Sequence, residues 1–296
     1  MDNNRRFPLI LNSFWLKIIA IITMTIDHIG YMFFDAYDTT GLVLRHIGRL
    51  SFPLFCFMIV EGVIHTKSFK KYALRLGIMA SIISLVIIFD EVLGFSNGGL
   101  RAEGNIFIDL LLGAVAVFLL KQDKWYFKLL FIIPLGLSVT SFIASCYEAC
   151  GCNGHAYWYP FFLRGQYHWL GVLLIVLFFV SHYLKDIFVK VHSNMTGITI
   201  ENYQDSNLER HVLNIFSAIM IVIVSLLFYF VGESIPPQYV DWMNNIQLFA
   251  MFSGVFILLY NGKRGYNKKW FQYGSYLYYP IHMVIIYLIY LSTIIS

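Results

Sequence analysis

The chain has 296 residues, of which 58% are apolar, 18% aromatic and only 13% charged. A soluble domain carries roughly 25% charged residues, and a soluble core does not hide runs beyond ~18 residues that are almost free of charge. A soluble enzyme, a disordered tail protein and a nucleic-acid binder are excluded, and the small net charge of +4 is informative only through its distribution.

A helix needs ~20 mostly apolar residues to cross ~30 Å of hydrocarbon. Nine segments are candidates: Phe14–Phe34, Ile47–Ile64, Ala73–Leu93, Ile106–Leu120, Phe127–Ser145, His168–Leu184, Val212–Val231, Ile246–Tyr260 and Ser275–Ile294. The fourth and eighth are short. The aromatic stretch Tyr157–Leu163 reads as a further re-entrant piece, which would turn nine into ten. The expected class is all-α: a polytopic membrane helix bundle in one domain over 1–296, with a polar inner loop at about 185–211.

With the amino terminus inside, 17 of the 21 Lys+Arg fall on inner ends and loops, among them Arg5, Arg6, Lys17, Lys67, Lys70, Lys71, Arg75, Lys263, Arg264, Lys268 and Lys269. Arg45, Arg49, Arg101 and Arg164 stay on the outer side. The positive-inside rule then predicts a cytoplasmic amino terminus and an outer carboxyl terminus in the cell membrane. Arg5-Arg6 precede a long apolar helix with no small-residue cleavage site after it, so no cleavable signal is expected.

Ionisable side chains inside spans cost a few kcal/mol each on insertion scales, so they face the protein interior and mark candidate function. They cluster early here: Lys17, Asp27 and His28 in the first helix, then Arg45, His46, Arg49, Glu61 and His65 along the second, and Arg75 opening the third. Asp109 and His282 lie in the fourth and ninth. Lys17 and His28 are separated by about 20° beyond three full turns and by ~16 Å along the axis, so they share a face. Asp27, ~100° round, points at a different neighbour. This spacing suits a coenzyme A thioester, with its phosphate-rich head near Lys17, Lys67, Lys70, Lys71 and Arg75 and its acyl carbon at His28. An imidazole there serves as general base toward an amine or hydroxyl.

The run Leu16-Lys17-Ile18-Ile19-Ala20 … Met24 … Asp27-His28-Ile29-Gly30 resembles the opening of the TraX family, the conjugative-pilin acetylases. So do Ile47-Gly48-Arg49-Leu50-Ser51-Phe52-Pro53-Leu54-Phe55-Cys56-Phe57, Glu61-Gly62, His65-Thr66 and Tyr72-Ala73-Leu74-Arg75-Leu76. That family in turn resembles acyltransferase family 3 and the lysosomal heparan acetyltransferases, which carry Arg-x10-His on an early helix. Lys17 stands where their Arg stands, which keeps the charge and loses the fork. Gly274-Ser275-Tyr276-Leu277-Tyr278-Tyr279-Pro280-Ile281-His282 is similar to the Ser-Tyr…Tyr…His segment of family 3, and Ser275, Tyr279 and His282 fall on one helix face. The resemblance implies acetyl transfer from cytosolic acetyl-CoA to an amine or hydroxyl, such as a pilin or peptide amino terminus. His28, Asp27 and Arg49 would be catalytic. Lys17, Arg75, Lys71, Glu61 and His65 would bind the donor, and Ser275, Tyr279 and His282 would be secondary.

Rival readings stand beside this one. Asp27, His28, Glu61, Asp109 and His282 would suit a proton relay in a transporter, although no inverted repeat is visible. A non-enzymatic assembly factor for a surface appendage is the third. His46, Glu61 and His65 lack a recognisable metal-ligand spacing, and no metal is expected. Cys146, Cys150 and Cys152 fall in an outer loop where one disulfide is expected; Cys56 reads as packing. Asp109, one turn after Asn105, fits structural pairing and proton handling equally well.

Overall fold

A computed structural model describes residues 8–35, 38–94, 103–149, 154–197, 199–205, 207–234 and 245–295. Arg5, Arg6, Arg101, Cys150 and Cys152 lie outside them. The helices are α1 (Ser13–Phe33), α2 (Thr39–Gly48), α3 (Ser51–His65), α4 (Phe69–Leu93), α5 (Ile106–Leu120) and α6 (Trp125–Leu129). There follow α7 (Ile132–Ala149), α8 (His168–Thr196), α9 (Ile200–Asp205), α10 (Leu208–Ser234), α11 (Gly254–Leu258) and α12 (Lys269–Ile295), with 3-10 turns at Phe161–Leu163 and Asn245–Ser253. Among the described residues the only extended pairing recorded is one isolated parallel bridge, Leu11 to Tyr260.

Seven stretches are long and apolar enough to span a bilayer: Ser13–Phe33, Thr39–His65, Phe69–Leu93, Trp125–Ala149, Phe161–Thr196, Leu208–Val231 and Lys269–Thr293. Ile106–Leu120 and Ile246–Leu258 are shorter apolar helices, the same two that were short in the sequence. The surface is inverted relative to a soluble protein. Phe89 of α4 and Leu288 of α12 are 61% and 59% exposed, while Thr23, Asn105, Asp109 and Ser217 are buried. Lipid tails accept the apolar surface, and the polar groups bond internally where no water reaches them. The chain is a multi-pass, all-α membrane protein.

Three local departures have physical causes. The expected second span, Ile47–Ile64, is broken: α2 ends at Gly48 and α3 starts at Ser51. Pro53 is accommodated in the first turn of a new helix, whereas in a helix interior it would break the ladder. The part of the chain before it is a separate helix, capped by Asp38, whose carboxylate accepts from the Thr40 amide. The eighth segment is a nine-residue 3-10 turn followed by a five-residue helix. At ~2.0 and ~1.5 Å per residue these rise about 25 Å, short of ~30 Å of hydrocarbon. The stretch Tyr157–Leu163 leads through the 3-10 turn Phe161–Leu163 toward the start of α8.

The chain forms two compact units. The first holds the described residues of Met1–Met58, Leu177–Leu226 and Asn245–Ser296. In it α1 packs on α2 and α12, and α2 on the 3-10 turn Asn245–Ser253. Its core includes Leu16, Ala20, Leu54, Ile221 and Ile257, and Phe57 meets Phe178 and Tyr260 edge to face. Gly41 and Gly48, two turns apart on α2, let α1 approach: a Cβ at Gly41 would come within 2.6 Å of Phe34 Cβ, and one at Gly48 would overlap the Asp27 side chain. Small residues serve this purpose at membrane helix contacts.

The second unit holds the described residues of Ile59–Val176 and Leu227–Asn244. There α4 packs on α5, α5 on α7, and α4 on the 3-10 turn Phe161–Leu163. Leu76, Ala114, Ala116, Val117, Leu170 and Ile175 form its core.

Candidate functional site

His28 is buried on the face of α1 that meets α12, and its Nδ1 lies 2.8 Å from Nε2 of His282, also buried. The pattern of hydrogen bonds assigns both protons. His282 Nδ1 is 2.8 Å from the Tyr278 carbonyl, which can only accept, so that nitrogen carries the hydrogen. A neutral imidazole has one N–H; His282 Nε2 therefore accepts, and His28 Nδ1 donates to it. His28 Nε2 keeps its lone pair.

The pair is held by its own helices. Thr25 Oγ1 donates to the Ile21 carbonyl at 2.9 Å and accepts from the Tyr278 hydroxyl at 2.7 Å. Thr25 is three residues before His28 and Tyr278 four before His282, so each pair shares a helix face. The Tyr278 ring stacks on His282 at 4.9 Å between centroids. Tyr279 stands edge-on to His28 and His282, at 6.2 and 5.7 Å. Pro280 lies inside α12 beside this group and removes one donor from the helix ladder.

Asp27 turns the other way. Arg49 Nη2 donates to its Oδ2, and Arg45 Nε lies 3.9 Å from Oδ1. Arg45 also covers the Tyr31 ring at 5.1 Å. The triplet expected around one imidazole therefore separates. Asp27 and Arg49 tie α1 to α2, and the hydrogen bond that orients His28 comes from α12.

Of the expected donor-binding residues, Lys17 belongs to the first unit, where its Nζ sits 5.5 Å over the Phe271 ring. Arg75, Lys71, Glu61 and His65 belong to the second. There His65 Nδ1 donates to the Glu61 carbonyl at 2.9 Å and lies 4.0 Å from its carboxylate. Arg75 Nε donates to the Lys71 carbonyl at 3.3 Å and lies 5.8 Å over Tyr72. Lys71 is exposed. Ser275 donates to the Phe271 carbonyl of its own helix, whereas Tyr279 and His282 reach His28. Thr25 and Tyr278 were not singled out by the sequence; their spacing from the two histidines was the available signal.

A second buried polar group occupies the second unit. Asp109 Oδ2 accepts from the Gln166 and Tyr167 amides, each at 2.7 Å. Asn105 Nδ2 donates to the Ala80 carbonyl at 2.8 Å and its amide to the Arg164 carbonyl at 2.9 Å. Ser84 donates to the Phe162 carbonyl, and Ser141 Oγ accepts from the Gly165 amide at 3.0 Å and lies 2.9 Å from His168 Nδ1. Arg164 binds Glu148 through two bonds of 2.7 Å. Asp109, Ser84 and Ser141 satisfy non-helical backbone groups between Phe162 and Tyr167, as an apolar surrounding requires.

A polytopic helix bundle with a buried, hydrogen-bonded histidine pair defines a multi-pass integral-membrane protein. The chain belongs to the TraX family: the family described as TraX protein matches residues 13–290. It is also similar to the probable fimbrial assembly protein FimC, serogroup H1, of Dichelobacter nodosus, at 30% identity over 150 residues. That similarity covers 49% of this chain and 58% of the relative, so the chain spans less than two thirds of the relative's length. No solved structure matches the chain.

Proposed function

We propose that this TraX-family protein is a membrane acyltransferase that moves an acetyl group from acetyl-CoA to an amine or hydroxyl, with His28 as general base. The observation that carries the reading is the Nε2 lone pair left on His28 by the hydrogen bond of its Nδ1 to His282. Two further points support it. The family is linked to pilin acetylation, and the Dichelobacter nodosus relative is named for fimbrial assembly. The acceptor class we favour is the terminal amine of a pilin-like peptide.

His28 Nε2 takes the proton from the acceptor as the acceptor's nitrogen or oxygen bonds to the thioester carbonyl carbon. The carbon–sulfur bond breaks, and the imidazolium returns the proton to the departing thiolate. One acceptor–hydrogen and one carbon–sulfur bond are exchanged for one acceptor–carbon and one sulfur–hydrogen bond. His282 accepts from Nδ1 throughout, which keeps Nε2 aimed and stabilises the charge that the ring gains. Asp27 and Arg49 act as positioning residues that fix α1, and Lys17, ~16 Å along the same helix face, meets the donor's anionic end. The enzyme lies in the cell membrane with its amino terminus cytoplasmic, on the 17 inner cations among 21.

The full chain in lipid nanodiscs, given labelled acetyl-CoA and a peptide with a free amino terminus, tests this. Label should pass to the peptide, and folded His28→Ala protein should pass it at least about a hundredfold more slowly. Equal transfer by both proteins would refute the reading.

A further inference from the structure

The Lys17 end of α1 carries a feature that the acid–base pair does not use. The loop after α11 is bonded along the start of α1. Leu11 N donates to Leu259 O at 2.9 Å and Asn261 N to Leu11 O at 2.8 Å. Ser13 N donates to Lys263 O at 2.9 Å and Phe14 N to Arg264 O at 3.2 Å. Two glycines in the left-handed region shape it, Gly262 at φ 75° and Gly265 at φ 66°. A Cβ on Gly262 would come 2.7 Å from the Arg210 guanidinium, and one on Gly265 would overlap Asn12, the cap of α1.

This arrangement gathers cations. Lys263, Arg264, Lys268 and Lys269 are exposed on the loop and at the start of α12. Arg210 lies 5.3 Å over the Tyr260 ring, and Lys17 lies 5.5 Å over Phe271. No Asp or Glu occurs from Trp242 to Ser296. A loop that only sets membrane orientation needs positive charge and no particular shape. Here backbone bonds and two left-handed glycines hold the loop in place, and aromatic faces steady Lys17 and Arg210, so part of the ordering cost of binding an anion is met in advance.

We infer that this loop, with Lys17 and Arg210, is a clamp for phosphate groups. Resting on the acyltransferase reading above, the clamp takes the phosphate-bearing end of the acyl donor, and Lys263 and Arg264 replace Lys71 and Arg75 as Lys17's partners in that task. A phospholipid headgroup offers the same chemistry, so the test separates the two sources.

Coenzyme A is titrated onto the full chain in nanodiscs of phosphatidylcholine alone, with thermal unfolding recorded in parallel. The pair Lys263→Gln and Arg264→Gln should raise the Kd for coenzyme A about tenfold or more, as loss of charge-assisted bonds does, with the unfolding temperature unchanged. Lys124→Gln with Lys128→Gln, in the second unit, should leave Kd unchanged. Equal Kd in the Lys263/Arg264 pair and the parent overturns the clamp. If coenzyme A does not bind the parent, nanodiscs with phosphatidylglycerol decide: stabilisation of the parent but not of the pair assigns the clamp to a lipid phosphate and defeats the donor reading, whereas no stabilisation overturns the clamp. If the pair loses coenzyme A but folded His28→Ala still transfers acetyl at the parental rate, the clamp stands and the base assignment falls.

Discussion

In the second unit, the side chains of Asp109, Ser84 and Ser141, with the backbone N–H of Asn105, bond backbone groups between Phe162 and Tyr167. In the first unit, Thr25, Tyr278, His28 and His282 form bonds that run from side chain to side chain across α1 and α12. Both groups are buried polar clusters among apolar helices, and burial alone does not tell them apart. What differs is where most of the bonds end, although the second unit also holds one buried side-chain pair, Ser141 Oγ with His168 Nδ1 at 2.9 Å. The Asp109 carboxylate accepts two loop amides through Oδ2. A histidine that donates through one nitrogen retains a lone pair on the other. The cost of placing polar groups in a membrane identifies both clusters; under the proposed function the cluster around His28 supplies the base and the one around Asp109 holds a loop.

Substitutions at four positions test the contrast, in falling order of effect. His28→Ala should lower acetyl transfer per folded molecule by about 10²–10⁴-fold, the usual worth of a general base, with little change in unfolding temperature. Arg49→Ala should destabilise the protein by up to about 3–5 kcal/mol, because it leaves the largely buried Asp27 carboxylate with Arg45 alone; unfolding monitored in detergent measures this. Asp109→Ala leaves two buried amides without an acceptor and should cost about 2–4 kcal/mol, yet the folded fraction should transfer acetyl at the parental rate. His282→Ala should reduce kcat by about 10–100-fold, the range seen when the group that orients a histidine is removed, with KM for acetyl-CoA unchanged. His282→Gln, whose carboxamide oxygen can accept the same hydrogen, should recover part of that rate.

Much of the fold was legible in the sequence because length and hydropathy dictate which segments can cross a bilayer. All nine apolar segments fall on helices or helical turns, seven of them on stretches long enough to span a bilayer, and the two short ones, Ile106–Leu120 and Ile246–Tyr260, are short in the structure too. The break between α2 and α3 was missed, although Pro53 was a visible reason for a fresh start. The site was half legible. His28 and His282 each stood out as ionisable groups in apolar helices, but their hydrogen bond joins positions 254 residues apart, and helical periodicity carries no information at that range. Ser275, Tyr279 and His282 share a helix face by spacing; in the structure Tyr279 and His282 meet His28, and the Ser275 hydroxyl bonds its own helix. Asp109 was open to two readings because its partners are backbone amides of a loop, and backbone amides leave no mark in a sequence.

The most direct test of the contrast runs His28→Ala and Asp109→Ala side by side in one acetyl-transfer assay, each rate divided by the amount of folded protein. The account expects transfer lowered about a hundredfold or more in the first and the parental rate from the second, despite its lower stability. A fully active His28→Ala protein, or a folded but inactive Asp109→Ala protein, would contradict it and move the chemistry to the other unit.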